Sequence, residues 1–169
     1  VVGAQEEDGD ASGLKDFGLA YVLFLNSDGT LKNFTTVSES AFATAETSKK
    51  DRFATAVAVP GDIDGDGTND IVIVAPGDDV IGGGERGAIY VIFMESNGTV
   101  NSYQKIGMST QSSGLGGFGG DLSNKDLFGT SVAALGDVNK DGIPDIGVGA
   151  PLDDDGNGND QGAFWMLYM

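Results

Sequence analysis

Two short segments of the sequence place side-chain oxygens at a regular spacing, and these oxygens are well suited to bind an ion. The segments are residues 62–70 and 137–145, and both follow the pattern D-x-[DN]-x-D-G-x-x-D. Oxygen side chains at positions 1, 3, 5 and 9, with a main-chain carbonyl at position 7, can surround a hard cation that takes roughly six to eight oxygen ligands. Glycine at position 6 permits the sharp turn that this arrangement needs.

The spacing predicts two calcium sites, because Mg²⁺ prefers octahedral sites that retain water. Position 12 is Ile73 or Val148, where an EF-hand has a glutamate, so each loop is expected between two strands. An ion there would hold the turn and couple folding to calcium. An acidic turn that binds no metal is the alternative interpretation. The predicted ligands are Asp62, Asp64, Asp66, Thr68 and Asp70 in the first segment, and Asp137, Asn139, Asp141, Ile143 and Asp145 in the second.

These loops belong to a repeat that runs along the chain. Residues 53–57 align with residues 128–132, and Asp62 aligns with Asp137, each pair 75 positions apart. A partial copy at the start aligns Gly18 with Gly87, at an offset of 69 positions. The repeat predicts stacked structural units. The expected boundaries are 1–38 for a partial first repeat, 39–107 for a complete second repeat and 108–169 for a partial third repeat.

The apolar segments within each repeat are short and rich in β-branched and aromatic residues, which predicts an all-β fold. In the complete repeat we expect strands A, B, C and D at about 53–59, 70–75, 87–94 and 100–107, so that the chain reads BCD, ABCD, ABC. Asp28-Gly29 and Asn97-Gly98 suggest two-residue hairpin turns. Only residues 39–52 suggest a short helical turn.

The composition limits the possible functions. The 26 acidic and 9 basic residues give a formal net charge of −17, which disfavours nucleic acid as a partner. The absence of histidine excludes a Ser-His-Asp triad and a histidine-ligated zinc site. We therefore expect no enzyme activity, although a glycosidase with two carboxylates remains a weaker alternative. No cysteine is present, so no disulfide framework is expected.

The motifs around the second loop resemble those of FG-GAP repeats, which build the propeller of integrin α-subunits and many extracellular proteins of bacteria and algae. Phe128-Gly129 precedes the loop and Gly149-Ala150-Pro151 follows it. The second repeat departs from this pattern, with Phe53-Ala54 and Val74-Ala75-Pro76. The resemblance implies a β-propeller of four-stranded antiparallel blades, about two and a half of them here, with a calcium loop between strands A and B. Because cysteine is absent, a bacterial or algal extracellular relative is expected in place of an integrin itself.

The leading hypothesis is a secreted or cell-surface module for adhesion or surface recognition that binds a protein or glycan ligand. A structural subunit of an extracellular filament or coat is the alternative, and a polysaccharide-active enzyme is the weaker one. Two and a half blades do not close a ring, so further repeats of the same or another chain are expected as partners. No apolar run reaches the roughly 18 to 20 residues that span a bilayer. The first residues carry no signal-peptide pattern, and a mature or excised segment is expected.

Two weaker patterns remain. The sequons at Asn33 and Asn97 are compatible with N-glycosylation. A second group of acids follows strand B in each copy, and it is expected to form solvated loops, with a ligand rim or extra cation sites as the alternative. These acids are Glu6, Glu7, Asp8, Asp10, Asp78, Asp79, Asp153, Asp154, Asp155 and Asp160.

Overall fold

The computed structural model describes residues 1–7, 18–39, 42, 51–78, 84–107, 122–154 and 160–169. The described residues form ten β-strands. The strands are β1 (Val2–Ala4), β2 (Leu19–Leu25), β3 (Leu31–Ser38), β4 (Val57–Gly61), β5 (Asp70–Ala75), β6 (Ala88–Met94), β7 (Val100–Gly107), β8 (Ser131–Gly136), β9 (Asp145–Ala150) and β10 (Ala163–Leu167).

These strands form three antiparallel sheets in which each strand pairs with its neighbour in the sequence. Sheet 1 has the order β1-β2-β3, sheet 2 has the order β4-β5-β6-β7, and sheet 3 has the order β8-β9-β10. One complete four-stranded sheet and two three-stranded sheets are the predicted partial blades of a β-propeller. The prediction of an all-β fold with about two and a half blades is confirmed.

The hydrophobic core lies between consecutive sheets, and strand β5 shows why. Its side chains alternate between two faces, as strand geometry requires. Ile71 and Ile73 belong to the core cluster shared with sheet 1, whereas Val72 and Val74 belong to the cluster shared with sheet 3. Because both faces are covered, the strand is a continuous apolar run, and each fully buried side chain of this kind contributes about 1.5 to 3 kcal/mol.

Strand A begins later than predicted. It starts at Val57 in sheet 2, not at Phe53, because residues 52–55 form a turn in which the Thr55 N–H donates to the Arg52 carbonyl at 3.2 Å. Ala54 adopts the left-handed conformation there, with φ of 63°, as does the equivalent Gly129 with φ of 89°. The residue that departs from the Phe-Gly motif therefore keeps the backbone conformation of the motif.

The hairpins between the last two strands of sheets 1 and 2 also differ from the prediction of two-residue turns. In sheet 1 the Asn26 N–H donates to the Thr30 carbonyl at 2.8 Å, and the Gly29 N–H donates to the Asn26 carbonyl at 3.0 Å. The loop thus has three residues and ends in a glycine with φ of 84°. A two-residue type I′ turn needs positive φ at both central residues, and Asp28 does not have it.

A glycine at the start of strand C fixes the distance between neighbouring sheets. A Cβ added at Gly18 would overlap the carbonyl oxygen of Phe53, and one added at Gly87 would overlap that of Phe128. Both phenylalanine side chains are fully buried between two sheets. The Phe turn of one repeat therefore sits directly against the backbone of the preceding repeat, where a side chain would not fit.

Candidate metal centre

Two loops connect strand A to strand B, and they are named here the first loop (residues 62–70) and the second loop (residues 137–145). The first follows β4 and the second follows β8. Each loop is closed by pairing of its flanking strands, with Gly61 opposite Asp70 and Gly136 opposite Asp145. Both of these aspartates are fully buried. The sheet therefore fixes the last ligand position while the rest of the loop projects beyond the strands.

The first loop folds around the carboxylate of Asp62. Its Oδ1 accepts the N–H groups of Gly65 at 2.7 Å and Asp66 at 3.1 Å, and its Oδ2 accepts that of Gly67 at 2.9 Å. Three N–H donors to one carboxylate hold the backbone of the turn in place. Gly67 has φ of 90° and thus meets the turn requirement at position 6.

Three carboxylates of the first loop converge. Asp62, Asp64 and Asp70 each offer an oxygen within 4.8 Å of an oxygen of the other two. Asp66 is next to them in the chain, and its Oδ1 accepts the Thr68 N–H at 2.6 Å. A donor set made only of oxygens, with several negative charges close together, fits a hard divalent cation and does not fit a soft metal.

The acid at position 9 is tied to two parts of the fold. Asp70 accepts the N–H of Ile63 at 2.8 Å and that of Met94, at the end of β6, at 3.0 Å. Burial raises the pKa of Asp70, and these hydrogen bonds lower it less than burial raises it, while the nearby charge of Asp64 adds to the increase. A cation at this loop would relieve that penalty.

The second loop repeats this scheme with one amide in place of a carboxylate. Asp137 accepts the N–H groups of Asp141 at 3.0 Å and Gly142 at 2.9 Å. The Asn139 side-chain amide donates to Asp141 Oδ2 at 2.7 Å. The loop thus offers three carboxylates and one amide where the first loop offers four carboxylates. Among the described residues, the 4.8 Å convergence of three carboxylates is found in the first loop and not in the second.

The amide changes the electrostatics at position 9. Burial raises the pKa of Asp145, but the N–H groups of Val138, Met169 and Asn139 lower it more, so that the pKa is below its ordinary value. Asn139 stands where the first loop has Asp64, and an uncharged amide does not repel Asp145. The nearby charge of Asp64 thus contributes to the raised pKa of Asp70, and Asp145 has no such charged neighbour among the causes of its lowered pKa.

Other predicted positions are distributed over the surface. Asn33 on β3 and Asn97 in the hairpin between β6 and β7 are both exposed. Glu6, Glu7 and Asp160 are exposed, as expected for solvated acids. The acids at positions 8, 10, 79 and 155, and most of the predicted helical turn, lie outside the described residues.

The prediction of solvated loops is wrong for two of the acids after strand B. Asp78 and Asp153 are only 3 % and 2 % exposed, because the neighbouring strands cover them. Two further acids, Glu39 and Asp51, are each 1 % exposed and escaped the sequence analysis. One signal was present, since Asp51 recurs 75 positions later as the buried Asp126.

Glu39, Asp51 and Asp78 form a second acidic cluster, with an oxygen of each within 4.8 Å of an oxygen of the other two. The Tyr90 hydroxyl lies 2.5 Å from Glu39 Oε1 and 3.0 Å from Asp78 Oδ2. Lys105 Nζ lies 2.5 Å from the same Asp78 oxygen. Burial raises the pKa of Glu39 to about 7, although the hydrogen bond from Tyr90 opposes this change.

The fold and its loops define an all-β repeat protein whose blades each carry an oxygen-lined loop. Residues 53–92 and 128–167 match the family model of the FG-GAP repeat. These segments include both loops and lie mainly in sheets 2 and 3. The chain is an FG-GAP repeat protein, and its repeats are similar to those of integrin alpha proteins.

Several integrin alpha proteins resemble the chain over part of its length. Human integrin alpha-6 is 40 % identical over 94 residues, which is 55 % of this chain and 7 % of that protein. Human integrin alpha-11 is 34 % identical over 108 residues, or 63 % of this chain and 8 % of that protein. Rat integrin alpha-7 is 62 % identical over 34 residues, or 20 % of this chain and 3 % of that protein. The chain thus corresponds to a small fraction of these relatives.

In the part of the chain that the structure describes, no helix has the length and apolar character required to cross a membrane.

Proposed function

We propose that the chain is an extracellular FG-GAP module for adhesion or surface recognition, in which calcium bound to the two loops stabilises the blades. The observation that carries this proposal is the repetition of one loop geometry at a spacing of 75 residues. In both loops the acid at position 1 accepts N–H groups from positions 5 and 6, and the acid at position 9 accepts an N–H from the last residue of strand C or the residues just after it.

The proposed ligands are those predicted from the sequence, at positions 1, 3, 5, 7 and 9 of each loop. Calcium suits a loop of this kind because it accepts six to eight oxygens, roughly, in irregular geometry, whereas Mg²⁺ demands a near-ideal octahedron. The ion offsets repulsion among the loop carboxylates in a chain with a formal net charge of −17. Its first role is therefore structural, since it holds the turn between strands A and B.

Adhesion or recognition is supported by the similarity to integrin alpha proteins and by the architecture. Rigid sheets that present variable loops are a common way to build a binding surface. We propose a protein or glycan ligand at this surface and no catalytic activity. The charge disfavours nucleic acid as a partner.

Further FG-GAP repeats are the proposed neighbours of sheet 3. Phe164 and Met166 on β10 are 62 % and 41 % exposed, whereas the equivalent Ile89 and Val91 on β6 are fully buried against sheet 3. Another repeat packed on β10 would cover the exposed pair in the same way. Light scattering, which measures molar mass, tests this proposal on the chain alone and on the chain mixed with separate FG-GAP repeats. A complex between the chain and the added repeats supports the proposal. Long polymers formed by the chain alone would support the filament alternative.

Calcium removal tests the structural role. We expect the melting temperature of the 169-residue chain to fall when a chelator replaces calcium, because the ion binds the folded state and not the unfolded state. A double variant, Asp62→Ala with Asp137→Ala, should lose most of this calcium-dependent shift. Glu95→Gln removes an exposed carboxylate outside the loops and should retain it. An unchanged melting temperature in chelator contradicts the proposal.

A further inference from the structure

The buried cluster of Glu39, Asp51 and Asp78 lies at the end of sheet 2 that is opposite to the first loop. Strand β5 starts at Asp70, within the loop, and ends at Ala75, just before Asp78. Six residues of strand span roughly 20 Å, so the cluster and the loop are separate places in the fold. Glu39 follows β3 of sheet 1, whereas Asp51 precedes β4 and Asp78 follows β5, both of which belong to sheet 2. The cluster thus joins two sheets.

One oxygen in this cluster has no partner among the described residues. Glu39 Oε1 accepts from the Tyr90 hydroxyl, but Oε2 is buried and accepts no hydrogen bond from any part of the chain that the structure describes. A buried carboxylate oxygen without a partner carries a desolvation cost of about 1 to 3 kcal/mol or more. Because Oε1 and Oε2 share one carbon atom, the unpartnered Oε2 lies close to the oxygen that Tyr90 contacts in the cluster.

The charges of the cluster leave room for a divalent cation. When all three carboxylates are ionised they carry three negative charges, and Lys105 supplies one positive charge at Asp78. These four side chains therefore retain two negative charges in a place where Glu39, Asp51 and Asp78 are 1 to 3 % exposed. Buried charges are tolerated when they are paired or when they coordinate a metal.

The backbone frame that holds the two aspartates is found twice in the part of the chain that the structure describes. Asp126 and Asp153, each 2 % exposed, occupy the equivalent positions in the third repeat. Trp165 stands there in place of Tyr90, so the hydroxyl oxygen is specific to the cluster between sheets 1 and 2. Three backbone hydrogen bonds recur at an offset of 75 positions. In the second repeat Gly77 N–H donates to the Asp51 carbonyl, Asp78 N–H to the Ala75 carbonyl and Gly87 N–H to the Asp78 carbonyl. In the third repeat the matching donors and acceptors are Leu152 and Asp126, Asp153 and Ala150, and Gly162 and Asp153.

We propose that Glu39, Asp51 and Asp78 form a second kind of divalent cation site, which holds sheet 1 against sheet 2. Carboxylate oxygens are the ligands of a hard cation, and the Tyr90 oxygen lies within reach of two of the three. The ion supplies the partner that Glu39 Oε2 lacks. It also acts differently from an ion in the loops, because Glu39 follows a strand of sheet 1 and the two aspartates flank strands of sheet 2, so that the ion links two sheets.

Calcium stoichiometry tests this site separately from the loops. The 169-residue chain should bind three ions in equilibrium dialysis, and Glu39→Gln should bind two. The loop double variant Asp62→Ala with Asp137→Ala should bind one ion, and adding Glu39→Gln to it should leave none. Two ions in the unmodified chain, with none in the loop double variant, would overturn the proposal while the loop sites stand. Three ions that Glu39→Gln does not reduce would overturn it equally.

A spectroscopic probe gives a second measurement. Tb³⁺ replaces Ca²⁺ at oxygen sites and emits strongly when a tyrosine in contact with it is excited. In the loop double variant we expect sensitised emission that Tyr90→Phe reduces, with Tyr103 as a second sensitiser nearby, and that Glu39→Gln reduces by about tenfold or more, as for loss of a ligand. Glu95→Gln makes the same chemical change at an exposed position and should leave the emission intact.

Circular dichroism separates loss of the site from loss of the fold. If Glu39→Gln does not fold, Asp51→Asn replaces it in both measurements, with the same expected loss of one ion. Emission that persists in a folded variant with Tyr90 present and either acid replaced contradicts the assignment of the ligands.

Discussion

The first and second loops share one ligand pattern but differ in what covers them. In the first loop Asp62 is half-buried, and Ile63 packs into the core between sheets 2 and 3. In the second loop Asp137 is exposed, and Val138 is 45 % exposed. The acidic pattern is thus sufficient to fold the turn, whereas burial of the turn depends on an adjacent sheet.

The start of the first loop lies close to the second loop. A Cβ added at Gly61, just before the first loop, would lie 3.1 Å from Cγ of Pro144, at position 8 of the second loop. The two loops are therefore neighbours at one edge of the array. We therefore predict that substitutions in the first loop disturb the packing between sheets 2 and 3, whereas substitutions in the second loop have only local effects.

The largest effect is expected from removal of the acid at position 1. Asp62→Ala and Asp137→Ala should each weaken calcium binding at their own loop by about a hundredfold, or about 2.7 kcal/mol, since each removes a ligand and the acceptor of several loop N–H groups. Calorimetry measures the affinity. Asp62→Ala should also lower the melting temperature more than Asp137→Ala does. If both variants lower the melting temperature equally, burial of the first loop by the adjacent sheet does not affect stability as proposed.

An intermediate effect is expected from exchange of the residues at position 3. Asn139→Asp should tighten calcium binding at the second loop, and Asp64→Asn should weaken it at the first, each by roughly tenfold, because ligand charge tunes calcium affinity. The double exchange provides the control, since it should invert the order of the two affinities. If the order stays the same, covering by the adjacent sheet determines affinity more than ligand charge does.

The smallest effect concerns the residue at position 4, which is Gly65 in the first loop and Lys140 in the second. Both have positive φ, at 80° and 65°. A side chain in this conformation costs about 1 to 2 kcal/mol, so Lys140→Gly should raise the free energy of unfolding by about 1 kcal/mol. Gly65→Ala should lower it by a similar amount. Urea unfolding in the presence of chelator measures both changes without a contribution from calcium.

The sequence predicted those features that depend on local chemistry. Ligand spacing located both loops, and runs such as Ile71 to Val74 located the buried strands, because residues that form a strand between two covered faces are continuously apolar. The first residue of a strand was less predictable. Phe53 is of a residue type common in strands, but it belongs to a turn: its side chain is inserted between two sheets, and its backbone is not part of strand β4.

The buried acids could not be predicted from local sequence. Asp78 and Asp153 stand in polar segments that are typical of solvated loops, and their burial results from the neighbouring strands. Glu39 follows an exposed strand and meets Asp51 only through the packing of sheet 1 on sheet 2. Contacts between separate segments leave no local pattern in the sequence. The recurrence of Asp51 as Asp126 was nevertheless a usable signal of a structural role for this position.

The fit between a glycine and the Phe turn of the next repeat has a consequence for how such chains grow. Each complete unit carries the glycine on one side and the turn on the other, and the two meet through main-chain atoms. A tandem gene duplication of one unit therefore adds a blade that already fits both of its neighbours. Copy number can change by whole units in a single event, while surface loops diverge independently of the junctions.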